Sequence, residues 1–184
     1  MSDDAREPSR PGRGPGMLVV YTGDGKGKTT AALGLAARAV GRGLSVGVMQ
    51  FIKGKWSTGE RTFFVGLDGV EFLVMGLGFT WDSDDISRDS AAARAAWETS
   101  SAWIREGAHD VVVLDELTYA INYGFLDEES VRRVLLDRAD EVDVVVTGRS
   151  APASLIEAAD LVTEMRAVKH PFVEGRRARP GIDY

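Results

Sequence analysis

At 184 residues, 44% of them hydrophobic and 27% charged, the chain is long enough for one α/β core, and no uninterrupted apolar run approaches the ~20 residues of a membrane span. A formal net charge of −6 argues against a general nucleic-acid binder, which would present a basic face to the phosphate backbone. The absence of cysteine excludes disulfides, thiolate metal sites and thiol nucleophiles, so the chemistry must use oxygen and nitrogen groups.

Residues 1–16 read as a flexible tail, because Pro8, Pro11 and Pro15 with Gly12, Gly14 and Gly16 sustain neither helix nor strand. The tail lacks the apolar stretch of a secretory signal, which makes the cytoplasm the expected address. Residues 17–184 are expected to form a single domain. Met17 to Tyr21 reads as a strand, and after a glycine-rich loop Thr29 to Arg42 reads as an Ala-rich helix ending at Gly41 and Gly43. Ser45 to Ile52, Val70 to Met75, Asp110 to Asp115, Val142 to Thr147 and Leu161 to Met165 read as further strands. Between them, Ile86, Ala93, Trp97 and Ile104 recur at helical spacing and predict a helix over Asp85 to Arg105, with Trp97 and Trp103 facing the core or a partner. Asp127 is suited to cap another helix, with Glu128 and Glu129 in its first turn, Val131, Val134 and Leu135 at helical spacing, and Arg138 near its end. The alternation predicts an α/β fold with a mostly parallel sheet, helices on both faces and a site at the carboxyl ends of the strands.

The segment from Thr22 through Gly23, Asp24, Gly25, Lys26, Gly27, Lys28 and Thr29 to Thr30 follows a strand and opens a helix, which is the context of a phosphate loop. Its glycines let successive N–H groups face an anion, Lys28 adds a point charge, and the Thr29 hydroxyl is suited to Mg2+. A nucleotide polyphosphate is the expected ligand, and a single-domain phosphate-loop (RecA-like) fold the expected frame. Thr22 stands where the usual pattern has its first glycine, so the loop is effectively one residue shorter and ordinary γ-phosphate hydrolysis is not implied. Lysine is concentrated near this site: Lys26, Lys28, Lys53 and Lys55 follow the first two predicted strands, and only Lys169 lies elsewhere.

The apolar run Val111 to Leu114 ends in Asp115 and Glu116, which in a phosphate-loop fold lies beside the loop and makes both acids candidates for Mg2+. Arg149 ends the fifth strand, where a phosphate contact and a structural ion pair are equally good readings. His109 precedes a strand and reads as a surface turn residue.

The stretches Gly23 to Ala32, Gln50 to Gly54, Gly78 to Trp81, Leu114 to Tyr119, Thr147 to Arg149, Val168 to Phe172 and Gly181 to Tyr184 together resemble the ATP:corrinoid adenosyltransferases of cobalamin synthesis and salvage. The resemblance runs from Met17 to Tyr184. It implies that reduced cobalt, Co(I), attacks the 5′ carbon of ATP and expels triphosphate, with Mg2+ as cofactor and the loop around the terminal phosphate in reversed polarity. It implies catalytic roles for Lys28, Thr29 and Glu116, and ATP contacts from Gly23 to Thr30 and from Arg38, which a solvated helix charge explains nearly as well. It sets Phe79 and Trp81 against the lower face of the corrinoid, where they exclude the axial ligand and ease reduction to Co(I). It further implies a homodimer and an electron donor such as a reduced flavoprotein, while charge and hydropathy leave neither nucleic acid nor membrane as an expected partner. The alternative is a phosphate-loop NTPase or kinase, in which Glu116 positions a water or hydroxyl against the γ-phosphate.

Overall fold

The computed structural model describes residues 14–52, 58–74, 86–170, 175 and 177–183. Six strands are present among them: β1 (Leu18–Thr22), β2 (Val46–Gln50), β3 (Val70–Val74), β4 (Val111–Asp115), β5 (Asp143–Thr147) and β6 (Leu161–Glu164). They form one sheet in the order β3-β2-β4-β5-β1-β6, and every pairing is parallel. The helices are α1 (Lys28–Val40), α2 (Gly59–Phe64), α3 (Ile86–Glu106), α4 (Leu117–Asn122), α5 (Glu128–Leu136) and α6 (Ala153–Ala158).

Strand alternation sends neighbouring side chains to opposite faces, and each face carries its own core. Val111 and Val113 pack with Ala32, Leu33, Ala36 and Ala39 of α1 and with Phe64 of α2. Val112 and Leu114 pack on the other side with Ile104 of α3, Ile121 of α4, Val134 of α5 and Leu155 of α6. This two-sided burial explains why the central strands read as unbroken apolar runs. The expected strands and three of the helices form, and α5 begins with the Asp127 side chain accepting the Ser130 N–H at 2.8 Å. The helices α2, α4 and α6 have six residues each, too few for a 3.6-residue period to show in sequence.

The acid pair stands beside the loop, with Asp115 accepting from Thr29, and β5, which lies between β4 and β1, brings Thr147 to the gap. One expectation is corrected. His109 is not a surface turn residue: its side chain is only 12% exposed, stands edge-on to Trp103 at 5.0 Å and meets Glu71 at 3.2 Å. It packs in the space left by the missing side chain of Gly47. Trp103 is a core residue, and Trp97 packs against the same core half-buried.

A Cβ at Gly47 would stand 2.5 Å from His109 Cδ2 and 3.0 Å from Trp103 Cε3. Gly47→Ala is therefore expected to destabilise the fold by about 1–3 kcal/mol through overpacking. Urea unfolding followed by tryptophan fluorescence checks this, with an unchanged midpoint as the contrary result.

Candidate functional site

The glycine loop joins β1 to α1 at the carboxyl edge of the sheet. Gly23 and Gly27 adopt φ of 94° and 118°, a region open to glycine at little cost. A Cβ at Gly23 would also meet the Met165 carbonyl oxygen at 2.5 Å, and one at Gly25 the backbone of Arg166 at 2.7 Å. The residues just past β6 thus press on the loop, and the Gly25 N–H donates to the Met165 carbonyl at 2.6 Å. Thr22 is buried where a first glycine was expected, and its hydroxyl accepts the Ala151 N–H at 3.1 Å.

Lys28 opens α1, and Gly27 before it provides no side-chain cap. The first N–H groups of the helix therefore form a positive end beside the loop. The Lys28 ammonium donates to the Gly23 carbonyl at 2.7 Å and the Gly25 carbonyl at 2.8 Å, which fixes the curvature of the loop. An ammonium has three donors, so one remains for a ligand. Burial lowers the Lys28 pKa, the Glu116 carboxylate opposes this, and Arg149 adds to the lowering.

Asp115 ends β4 and is 4% exposed. Its Oδ1 accepts from Thr29 Oγ1 at 2.8 Å and Thr147 Oγ1 at 2.7 Å, and its Oδ2 accepts from Gln50 Nε2 at 3.1 Å. Burial raises its pKa, while the hydrogen bonds from Thr147, Thr29 and Gln50 oppose the rise. Glu116 follows with φ 62° and ψ 26°, a left-handed conformation that is costly outside glycine, and caps α4. Its N–H donates to Thr147 Oγ1 at 2.9 Å, and its Oε2 is buried without a hydrogen-bond partner. Burial and the neighbouring Asp115 charge push its carboxyl up to about 7, against the opposing charges of Lys28 and Arg149.

These groups line a cavity of about 550 Å³ together with Gly25 to Thr30, Gln50, Glu60, Arg61, Tyr119, Arg149, His170 and Asp183. The C-terminal turn reaches the loop through an ion pair, Asp183 Oδ1 to Lys26 Nζ at 2.9 Å. Of the expected site residues, Gly25 to Thr30, Asp115 and Glu116 therefore come together. Asp24 is exposed and, like Gly23, is not among the lining residues. Arg38 lies exposed in the last turn of α1, ten residues or roughly 15 Å along the axis from Lys28, and does not line the cavity. Phe79, Trp81, Lys53 and Lys55 lie outside the described residues.

The sequence reading missed Thr147 as a partner of Asp115 and Glu60 as a lining residue. Glu60 Oε2 is the second buried oxygen without a hydrogen-bond partner among the described residues. Thr147 stood out only within the family-like stretch Thr147 to Arg149, since a threonine at a strand end carries no local signal of its own, and Glu60 sits on the short α2.

Comparison with known proteins gives a consistent result. Residues 14–184 match the family described as ATP:corrinoid adenosyltransferase BtuR/CobO/CobP. The corrinoid adenosyltransferase of Escherichia coli K12 is 48% identical over 92% of this chain and 86% of its own length. Corrinoid adenosyltransferase CobA of Salmonella typhimurium LT2 shows the same identity and coverage. The corrinoid adenosyltransferase of Pseudomonas aeruginosa is 46% identical over 92% of this chain and 84% of its own length. On a match that spans all but the first 13 residues, the chain belongs to the ATP:corrinoid adenosyltransferase family.

Proposed function

We propose that this protein transfers the 5′-deoxyadenosyl group of ATP to the Co(I) centre of a corrinoid and releases triphosphate. One observation carries the reading beyond family membership: stretches that resemble the family contribute Gly25 to Thr30, Gln50, Asp115, Glu116, Tyr119, Arg149, His170 and Asp183, which are remote in sequence yet line one cavity. In the transfer, the cobalt–carbon bond forms as the C5′–O5′ bond breaks. The bonding pair leaves with the triphosphate oxygen, and cobalt passes formally from Co(I) to Co(III). The nucleophile is a metal already rich in electrons, so the chain needs no general base. Its task is to hold the triphosphate and stabilise charge gathering there, which suits the uncapped start of α1, the loop N–H groups and Lys28.

A hard divalent cation fits the donor set. The Thr29 hydroxyl, Asp115 and the partnerless Glu116 Oε2 offer oxygen donors, which would hold Mg2+ together with the phosphate oxygens of the nucleotide. When bound, Mg2+ would neutralise part of the triphosphate charge. Phe79 and Trp81 are assigned to the corrinoid's lower face by the family resemblance alone. A reduced flavoprotein as electron donor, a homodimer and a cytoplasmic setting complete the reading, on the same resemblance.

Product analysis tests it directly: reduced cobalamin, ATP and Mg2+ should give a light-sensitive cobalt–carbon bond and tripolyphosphate. ADP and orthophosphate would instead favour a phosphate-loop NTPase. Lys28→Ala and Thr29→Ala should each abolish measurable transfer with the circular dichroism spectrum retained, and near-normal turnover in either would remove the loop from the mechanism.

Glu116 yields a pH prediction. A carboxyl whose folded pKa is raised from 4.5 to about 7 disfavours its own ionisation in the fold. The resulting destabilisation is absent below pH 4.5, grows up to about pH 7 and is complete above it, at a cost on the order of 3 kcal/mol. In protein free of nucleotide and Mg2+, Glu116→Gln should raise Tm by roughly 5–10 °C at pH 8 and leave it nearly unchanged at pH 4.5. The same substitution should weaken the Mg2+ dependence of ATP binding, as read by a metal titration.

Trp81→Ala should depress transfer severely from Co(II) with a mild reductant and much less from chemically prepared Co(I), with ATP affinity unchanged. Equal losses from both starting states, with a lower Tm, would make Trp81 a packing residue.

A further inference from the structure

The turn after β5 is built with more care than a connecting loop needs. Gly148 has φ 143° and is pressed against α4, where any side chain would run into Thr118. Thr118 Oγ1 donates to the Arg149 carbonyl at 2.7 Å, and Asn122 Nδ2 donates to the Ser150 carbonyl at 3.1 Å and the Arg149 carbonyl at 3.4 Å. Ser150 has φ 50°, which makes it and Glu116 the two non-glycine residues with positive φ among the described residues. Glu116 lines the cavity together with Arg149, and Ser150 directly follows Arg149 in the chain. Strained backbone fixed by several hydrogen bonds is the usual accompaniment of a positioned functional group.

The side chain so positioned makes no ion pair among the described residues, so the structural reading of Arg149 loses its partner. Its charge is nevertheless felt by three lining groups. It adds to burial in lowering the Lys28 pKa, and it opposes the burial-driven rises of Glu116 and Tyr119. Two cations, Lys28 and Arg149, thus share one cavity on the carboxyl edge of the sheet. The Glu116 carboxylate in the same lining offsets part of their repulsion, and a polyanion between them relieves the rest.

We propose that Arg149 contacts the triphosphate of the bound nucleotide and stabilises its departure together with Lys28. The assignment rests on the adenosyl-transfer reading above. A guanidinium suits the task, because its planar fork donates two parallel hydrogen bonds to phosphate oxygens and stays charged throughout. As the C5′–O5′ bond breaks, the electron pair moves onto the triphosphate. A fixed cation there favours the transition state over bound ATP.

Inorganic tripolyphosphate, titrated calorimetrically into the full-length protein with Mg2+, tests the contact without any corrinoid. Arg149→Ala should weaken its binding at least tenfold and Arg149→Lys about threefold to tenfold, while affinity for adenosine is unchanged. In the transfer assay, Arg149→Ala should lower kcat at least a hundredfold with a smaller change in KM for ATP. Arg149 is exposed, so the variant should melt within a few degrees of wild type. Wild-type binding of tripolyphosphate with an Arg149→Ala affinity within twofold would overturn the Arg149 assignment alone. Failure of the wild type to bind tripolyphosphate, with ADP as product, would overturn the adenosyl-transfer reading itself. In the Glu116→Gln background, Arg149→Ala should still weaken tripolyphosphate binding; loss of the effect there would make Arg149 a counter-ion to Glu116.

Discussion

A single buried carboxylate organises this site. Asp115 accepts hydrogen bonds from Thr29 at the start of α1, Thr147 at the end of β5 and Gln50 at the end of β2. Two further strands and the loop helix are thereby tied to β4 at one atom group. The carboxylate is nearly free of solvent contact, so each bond is electrostatically stronger than it would be in water, and each donor would be costly to leave unmet. The orientation of the Thr29 hydroxyl and the register of the loop against the sheet follow from this one acceptor. Thr147 serves twice, because its hydroxyl donates to Asp115 and accepts the N–H of Glu116. The left-handed backbone of Glu116 is held in part by that second bond.

The arrangement is not the one that would maximise stability. Lys28 is 7% exposed, Asp115 is 4% exposed and Glu116 has an oxygen with no partner. Burial shifts each of the three toward its neutral form, lowering the lysine and raising the acids. Such a set is poised for a ligand that carries both negative charge and a cation, since each charged form then gains a counterpart. Preorganised donors and charges of this kind stabilise a departing polyanion without reorganising at the moment of bond breaking.

Much of this was legible from residue types. The phosphate loop and the acid pair are local patterns, each set by a strand end and the residues that follow it, so sequence alone located both. The sheet was legible as buried strands because both faces are covered. Strand order was not, and Thr147 entered the site only because β5 lies between β4 and β1. His109 was misread for a related reason: its burial depends on Gly47, 62 positions earlier, and no local pattern reports a cavity left by a distant glycine. Arg149 was ambiguous in sequence because a strand-end arginine serves ion pairs and anions equally. The hydrogen bonds from Thr118 and Asn122 distinguish its turn from an ordinary one.

The strand order also governs when the site can come into being. β1 and its loop are made before the other described strands, yet among the described residues β1 pairs with β5 and β6, the two strands made last. The Met17 and Leu18 N–H groups wait for Asp143 and Asp160, 126 and 142 residues away, and the Gly25 N–H waits for Met165. During synthesis at about 5–20 residues per second, β2, β3 and β4 can assemble with α3 while β1 still lacks both of its strand partners. The loop gains the last of its backbone contacts only once β6 and Met165 have been made. A nascent chain, or one cut short before β6, therefore carries the loop sequence without the strand and the carbonyl that seat it on the sheet edge.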